Sequence, residues 1–336
     1  MSTLRISLII CTYRRPKSIL SLLESIKGQS LLPDELLIID ASEDNQTRIA
    51  IQQTELVGLR YIQVGINHRG LTKQRNFGLA HINQSHDIVA FVDDDVILAK
   101  DYFHELNKGF LERKEIIGFG GIATNENKWH KVESKIFRTD KHEIIIDGHV
   151  YRLSLRNRVR NILGLLSHLP PGRMPNYSHG KTCGFPLTGK IYPVDLLVGM
   201  SMAFRFKAIE EIKFSNYFDG YGLYEDADFS IRAGHIGPLA INTKVLLEHH
   251  HAAGGRPNTF KYGKMVVRNG HYVWRVKNPR PRAVDRFKWH AITLLLISIR
   301  ALNIMTGPKR KQAFFETVGR KWGWLSLWFN APSQIQ

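Results

Sequence analysis

Residues 88–95 read IVAFVDDD. A short apolar run rich in β-branched residues is a strand buried on both faces, and three carboxylates cannot follow it into a core. The strand, Asp87 to Val92, therefore ends where Asp93-Asp94-Asp95 begin. Upstream the same grammar repeats. Arg5 to Cys11 (RISLIIC) is a strand, and Pro16 to Lys27 carries Ile19, Leu20, Leu22, Leu23 and Ile26 at helical spacing. Glu35 to Asp40 (ELLIID) is a second strand, Arg48 to Gln53 starts a helix, and Leu59 to Val64 is a third strand. Gly70 to Ala80 is a helix with Leu71, Arg75 and Leu79 on one face. Strands alternating with helices predict an α/β fold with a mostly parallel central sheet and flanking helices. In such sheets ligands bind at the carboxyl ends of the strands, and Thr12-Tyr13-Arg14, Asp40 and the three aspartates all fall there.

Downstream the alternation stops. Residues 131–190 are basic, with Arg152, Arg156, Arg158 and Arg160 close together and a loop at Pro170-Pro171-Gly172 and Pro175. Pro193 to Phe206 is apolar again, and FDGYGLYEDADFSI (218–231) sets acids between aromatics. Lys244 to Leu247 is a strand leading to Glu248-His249-His250-His251. From Arg256 the chain is basic and aromatic, with a helical apolar stretch at His290 to Met305 interrupted only by Arg300. The expected organisation is an α/β half at 1–130, a basic insert at 131–190, a second half of the same domain at 191–255, and a basic, largely helical extension at 256–336.

The 336 residues, 43% hydrophobic and 23% charged, suffice for a large core. Two cysteines, Cys11 and Cys183, make neither a disulfide framework nor a cysteine-based zinc site. The opening MSTLRISLIICTYRRP is not a signal peptide, and no 18-residue apolar run is free of charge, so no spanning helix is expected. The net charge of +17 is uneven: sixteen basic residues against two acidic ones lie between 256 and 336. A basic tail points to nucleic acid or an anionic membrane surface.

Carboxylates as close as Asp93 and Asp95 need a cation, and two oxygens one residue apart at a strand end suit one Mg²⁺ or Mn²⁺ that also binds phosphates. Asp40 can accept hydrogen bonds from a base or ribose, or serve as a turn residue. Arg75 and Asn76 lie on a helix that can face the same crevice and offer a cation and an amide to a nucleotide. Glu225-Asp226 sits among Tyr221, Gly222, Tyr224 and Phe229, where partial burial raises a carboxylate pKa and suits a general base. No Lys or Arg lies within 214–231, so the pair lacks a local partner; its other reading is a helix N-terminus. One histidine of 249–251 can join Asp95 on a metal, with the choice among the three left open.

In combination these pieces resemble the family 2 glycosyltransferases, inverting enzymes with a GT-A fold. The stretches that carry the likeness are SLIICTYRRP (7–16), LLIIDASED (36–44), GLTKQRNFGLA (70–80), IVAFVDDDV (88–96) and FDGYGLYEDADFSIR (218–232). The resemblance implies that Thr12 and Asp40 contact the base of a nucleotide-diphosphate sugar and that Arg75 lies near the nucleotide; Tyr13, Arg14 and Asp94 are read as part of the same donor site, with Arg14 and Arg15 placed to neutralise phosphate. It further implies that Asp93, Asp95 and a histidine, here His249, hold Mn²⁺ or Mg²⁺, and that Asp226, beside Glu225, is the catalytic base. Ala41 departs from the family's usual acidic or amide residue after Asp40. Residues 131–190 and 256–336 match nothing in the family pattern.

The implied reaction passes a sugar to an acceptor hydroxyl on a glycan or lipid-linked sugar, in cell-surface polysaccharide or glycolipid synthesis. Arg282, Arg286, Lys288, Lys309, Arg310 and Lys311 flank an apolar helical stretch, with Trp289, Trp322, Trp324 and Trp328 nearby. That composition reads as an interfacial element, which places the chain in the cytoplasm, peripheral on the inner face of the cell membrane. Alternatively, the stretch from 291 to 305 is a core helix. Nucleic-acid binding would account for the tail but not for the aspartates, which repel phosphate backbones, so no nucleic-acid partner is expected. Another metal-dependent nucleotide enzyme, a nucleotidyl transferase, would want a glycine-rich phosphate loop where TYRRPKS stands.

Overall fold

The computed structural model describes residues 3–132, 140–252 and 257–333. The chain divides into two units, Met1–Lys128 with Gly184–Gly255, and Trp129–Cys183 with Arg256–Gln336. In chain order the first unit opens with β1 (Ile6–Thr12), α1 (Pro16–Lys27), β2 (Glu35–Asp40), α2 (Gln46–Ile51) and β3 (Leu59–Gln63). It continues with α3 (Leu71–Leu79), β4 (Ile88–Asp93), β5 (Val96–Leu98), α4 (Tyr102–Glu112) and β6 (Gly118–Ala123). The second unit then contributes β7 (His130–Lys131), β8 (Glu143–Ile146), β9 (His149–Arg152) and α5 (Leu155–Ile162). The first unit resumes with β10 (Ile191–Val194), β11 (Ser201–Arg205), α6 (Phe206–Ile209), α7 (Glu225–Gly234) and β12 (Leu239–His249). The second ends with α8 (Thr259–Lys277), α9 (Ala283–Thr306) and α10 (Arg310–Ser326).

The nine strands of the first unit form one sheet in the order β10-β12-β6-β11-β4-β1-β2-β3, with β5 paired to β12. Six of them, β1–β4, β6 and β12, run in one direction, and β5, β10 and β11 run against it. The chain proceeds from β1 outward to β2 and β3, then returns to place β4 on the other side of β1. This reversal makes the carboxyl ends of β1 and β4 a topological switch point, the place where open α/β sheets bind ligands. Register sets Cys11 beside Asp93 and Thr12 beside Asp40.

Helices cover both faces. Ile19, Leu22, Leu23 and Ile26 of α1 and Tyr102, Phe103, Leu106 and Phe110 of α4 bury against Leu8, Ile10, Leu36, Ile38, Ala90 and Val92. On the opposite face Phe91 meets Phe214, and Phe229 of α7 stacks on Phe214 at 4.2 Å between ring centres. Each such side chain contributes about 1.5–3 kcal/mol by leaving water. α3 lies close on the sheet because Gly78 has no side chain: a Cβ there would come within 2.7 Å of Ile9.

Among the described residues the second unit holds a three-stranded antiparallel sheet, β7-β9-β8, and four helices. α8 and α10 pack backbone to backbone. A Cβ on Gly319 would meet the Phe260 carbonyl oxygen at 2.1 Å, and one on Gly263 the Glu316 oxygen at 2.2 Å. Trp274 stacks on Trp289 at 5.3 Å in the core, and His290 stacks on Trp328 at 5.5 Å toward the surface. The expectation that no helix is apolar enough to span needs correction. α9 has 24 residues and an 18-residue window of mean hydropathy 1.4, enough by length and composition, and only 22% of that window is buried. The test by uncharged runs failed because an isolated charge in a long helix is compatible with a high average.

Candidate active site

The three aspartates leave β4 in alternate directions. Asp94 is buried and turns toward β1, where the Thr12 hydroxyl donates to it at 2.7 Å and Arg15 Nη1 at 2.8 Å. Burial pushes its carboxyl up to about 6, against the pull of Arg15 and Thr12. Asp95 faces the end of β12, because β5 follows it directly and pairs Val96 with His249. Its oxygens lie 3.4 Å from His249 Nε2 and 2.8 Å from the Ala252 amide. Burial acts to raise the Asp95 carboxyl, but these partners and Arg15 outweigh it and hold the group below the usual carboxylate range. His249 shows the reciprocal effect: burial acts against its cation, yet the bond to Asp95 and the fields of Asp95, Asp93 and Glu126 move it upward.

Asp93, Asp95 and His249 offer one ligand atom each within 4.8 Å of one another. Two carboxylates and an imidazole are the donor set of a hard divalent ion such as Mn²⁺ or Mg²⁺, so these residues fit the metal. Of the histidine triple it is therefore His249 that reaches Asp95. His250 pairs with Glu248 at 3.2 Å, and His251 contacts Glu126 at 2.5 Å. Glu126, His249 and His251 make a second set of the same spacing, with His249 shared.

Arg75 is the hub on the other side. It is 2% exposed, lies over the rings of Phe91 and Phe214, and bridges Asp93 at 3.3 Å and Glu225 at 2.8 Å. Its Nη2 also donates to the Gly199 carbonyl at 3.1 Å. Gly70 makes this possible. At φ +119° it lets the start of α3 touch the loop before α7, where a Cβ would meet Asp219 Oδ1 at 2.5 Å, and Lys73 pairs with Asp219 at 2.6 Å. The acidic pair thus has its cation, brought from 150 residues away in sequence, which a local search of 214–231 could not find. Asn76 does not face the crevice; it pins the chain at Phe214 with two hydrogen bonds of 2.8 Å.

Glu225 and Asp226 differ. Glu225 is buried, and desolvation drives its carboxyl well above the usual range despite Arg75. Asp226 is half-buried and accepts from the amides of Gly199 at 2.9 Å and Ala227 at 2.8 Å, which orient it at the start of α7. Tyr224, just before the pair, has φ +72°, Arg14 has +53° and His251 has +50°. Strained backbone outside glycine concentrates at functional sites.

Asp40 is fully buried and already satisfied, accepting from the Ser42 amide at 2.8 Å, the Ser42 hydroxyl at 2.5 Å and Tyr61 at 2.7 Å. Tyr13 and Arg14 lie on an exposed rim, where Glu43 takes Arg14 at 2.9 Å and Arg69 at 2.7 Å. Arg15, rather than Arg14, reaches the aspartates. Sequence reasoning missed Gly199, Glu126 and Gln74, which donates to the carbonyls of Thr12 and Ile39 and ties β1 to β2. None of the three carries a local signal, since each acts through a contact distant in sequence.

A strand-order reversal with acidic residues at its mouth and helices on both faces defines a ligand-binding α/β fold. Residues 7–172 match the model of glycosyl transferase family 2. The match bears out the resemblance to the family 2 glycosyltransferases over 166 residues, just under half of the chain, and supports a glycosyltransferase. Among solved structures it is similar to the mannosyltransferase PcManGT from Pyrobaculum calidifontis, in complex with GDP-Man and Mn²⁺, at 13% identity and TM-score 0.54 over 96% of this chain and 88% of that one. It is also similar to S. aureus TarS 1–349, at 13% identity and TM-score 0.47 over 98% of this chain and 93% of that one. At this identity the likeness to PcManGT is one of fold. No curated protein matches the chain.

Proposed function

We propose that the protein is an inverting glycosyltransferase that moves a sugar from a nucleotide-diphosphate donor to an acceptor hydroxyl. The observation that carries this reading is the convergence of Asp93, Asp95 and His249 with the Arg75–Glu225–Asp226 chain at the switch point. The bound GDP-Man and Mn²⁺ of PcManGT, on a related fold, support it. Asp93, Asp95 and His249 would hold a divalent cation, Mn²⁺ or Mg²⁺, which supplies Lewis-acid stabilisation of the leaving diphosphate.

Asp226 takes the proton of the acceptor hydroxyl as its oxygen attacks the anomeric carbon. The bond to the diphosphate breaks on the opposite side, and one displacement inverts the configuration. The Gly199 and Ala227 amides hold Asp226 in place, and Glu225 positions Arg75, whose charge balances Asp93. Thr12 and Arg15 orient Asp94 beside the phosphates. Tyr13, Arg14 and Asp40 lie toward the nucleoside.

The acceptor is read as a glycan or lipid-linked sugar, and the site of action as the cytoplasmic face of the cell membrane. Exposed Phe287, Met305, Trp328 and Phe329 in the second unit, among its many basic residues, support a peripheral interfacial contact. The direct test offers UDP-, GDP- and dTDP-sugars with Mn²⁺ and native membranes as acceptor source. One donor is expected to be used, with inversion seen by NMR. Asp226→Asn should lower transfer about 10³-fold with donor affinity unchanged, as for loss of a general base. Transfer within threefold of wild type would remove Asp226 from the base role.

A further inference from the structure

We propose that the second unit contains an anion site for a phosphate or diphosphate group, built by Arg160 and Lys181 and reached past Arg156. This goes beyond the transferase reading and does not depend on it. Arg160 and Lys181 are 6% and 7% exposed, and among the described residues no carboxylate pairs with either.

The two cations converge. Arg160 donates through Nη2 to the Ser178 hydroxyl at 3.2 Å and the Leu165 carbonyl at 3.5 Å, and through Nη1 to Asn157 at 3.3 Å. Lys181, three residues beyond Ser178, donates to the Ser167 carbonyl at 2.9 Å, two residues beyond Leu165. Arg160 Nε is buried with no hydrogen-bond partner. Neutral acceptors satisfy some of these donors but supply no counter-charge, and an uncompensated buried ion costs several kcal/mol.

The fields agree with the geometry. Burial first, and then neighbouring cations, lower both groups, with Arg156 acting on Arg160 and Arg160 acting on Lys181 and His179. Elsewhere in the same unit buried charge is matched: Glu316 sits between Arg300 and Arg320, both at 2.7 Å, and Asp285 holds Arg282 at 2.8 Å. The Arg160–Lys181 cluster departs from that pattern. A multiply charged oxyanion completes it, because a planar guanidinium and an ammonium together are the usual recognition set for phosphate. Arg156, one turn before Arg160 on α5, is exposed, and its charge acts on Arg160.

Two sources can present such a group. Leu155, Ile162 and Leu163 around the same helix are 71%, 68% and 55% exposed, a surface that suits the phosphate of an amphiphile. A soluble phosphate ester offers the same chemistry. The experiment titrates the full-length protein with inorganic pyrophosphate in EDTA, so that metal-held diphosphate at the aspartates stays silent. One site is expected, retained in Asp95→Ala, weakened at least tenfold in Lys181→Met and about threefold in Arg156→Gln. Arg156 is exposed, so its variant decides the matter if Lys181→Met does not fold. No binding to folded wild type, or unchanged affinity in a folded Lys181→Met or in Arg156→Gln, would overturn the proposal.

Phosphatidylcholine vesicles with and without phosphatidylglycerol then separate the sources. Pyrophosphate competition against vesicle binding, lost in Lys181→Met, identifies a lipid headgroup. Pyrophosphate binding that leaves vesicle binding untouched identifies a soluble phosphate.

Discussion

The two units of this chain handle charge in opposite ways. The first carries 21 basic residues and 24 acidic ones, and nearly every buried acid in its site has a cation, a histidine or an amide within reach. The second carries 26 basic residues and only 6 acidic ones. Histidines record the difference. In the first unit carboxylates move His249 upward against its burial, whereas in the second, burial and then neighbouring arginines push His271 and His179 down to about 4. That contrast underlies both proposals, a cation held by the first unit and an anion met by the second.

The comparison breaks at its strongest point if Arg75 is dispensable. Arg75→Met leaves the half-buried Asp93 and the buried Glu225 without their shared cation. Removing one partner of a buried pair typically costs about 3–5 kcal/mol, and a loss of unfolding free energy of that size, read from urea denaturation, is expected. A variant as stable as wild type would mean that a proton, not Arg75, balances Glu225.

Acid sharpens the contrast next. His271 and His179 have folded pKa values of about 4 against 6.5 when unfolded. The unfolded chain therefore binds more protons between these values, and the contribution of neutral histidine is complete above 6.5 and lost as pH falls toward 4. At 1.36 kcal/mol per unit, each histidine costs on the order of 3 kcal/mol at the acid end. Stability measured from pH 7 to 4 should fall less steeply in His271→Gln than in wild type, and parallel curves would exclude this residue as a cause.

The smallest effect concerns the surface. Phe287 and Trp328 are 72% and 68% exposed. Replacing both with serine should weaken binding to anionic vesicles at least tenfold in cosedimentation, since even one ring buried in lipid is worth about 1.5–3 kcal/mol and a factor of ten is about 1.4 kcal/mol. Equal binding would assign the attraction to the basic residues alone.

The first unit was largely legible in the sequence, because its chemistry sits on short buried strands whose ends are marked by composition. ELLIID (35–40) and the helix Pro16–Lys27 were read at their true boundaries, and IVAFVDDD placed the aspartates correctly. What stayed hidden was long-range: that Arg75 would serve Glu225, that Gly199 would hold both Arg75 and Asp226, and that of the triple it is the His249 imidazole that would reach the Asp95 carboxylate. β12 was read as four residues and is eleven, since Asn242 and Thr243 look like turn residues but are buried against neighbouring backbone. The second unit left only its charge and its apolar helix to be read. Its two sequence segments are separated by the returning half of the sheet, and no periodicity announces that they cluster.

The central claim, that Asp93, Asp95 and His249 form a metal-dependent donor site, is tested most directly by calorimetry of UDP, GDP and dTDP. Titrations with Mn²⁺ and with EDTA should be run on wild type, Asp95→Ala and His249→Ala. The account predicts that one nucleotide binds in Mn²⁺ and not in EDTA, with binding lost in Asp95→Ala and weakened at least tenfold in His249→Ala. Nucleotide binding that is equal in EDTA and in both variants would contradict it.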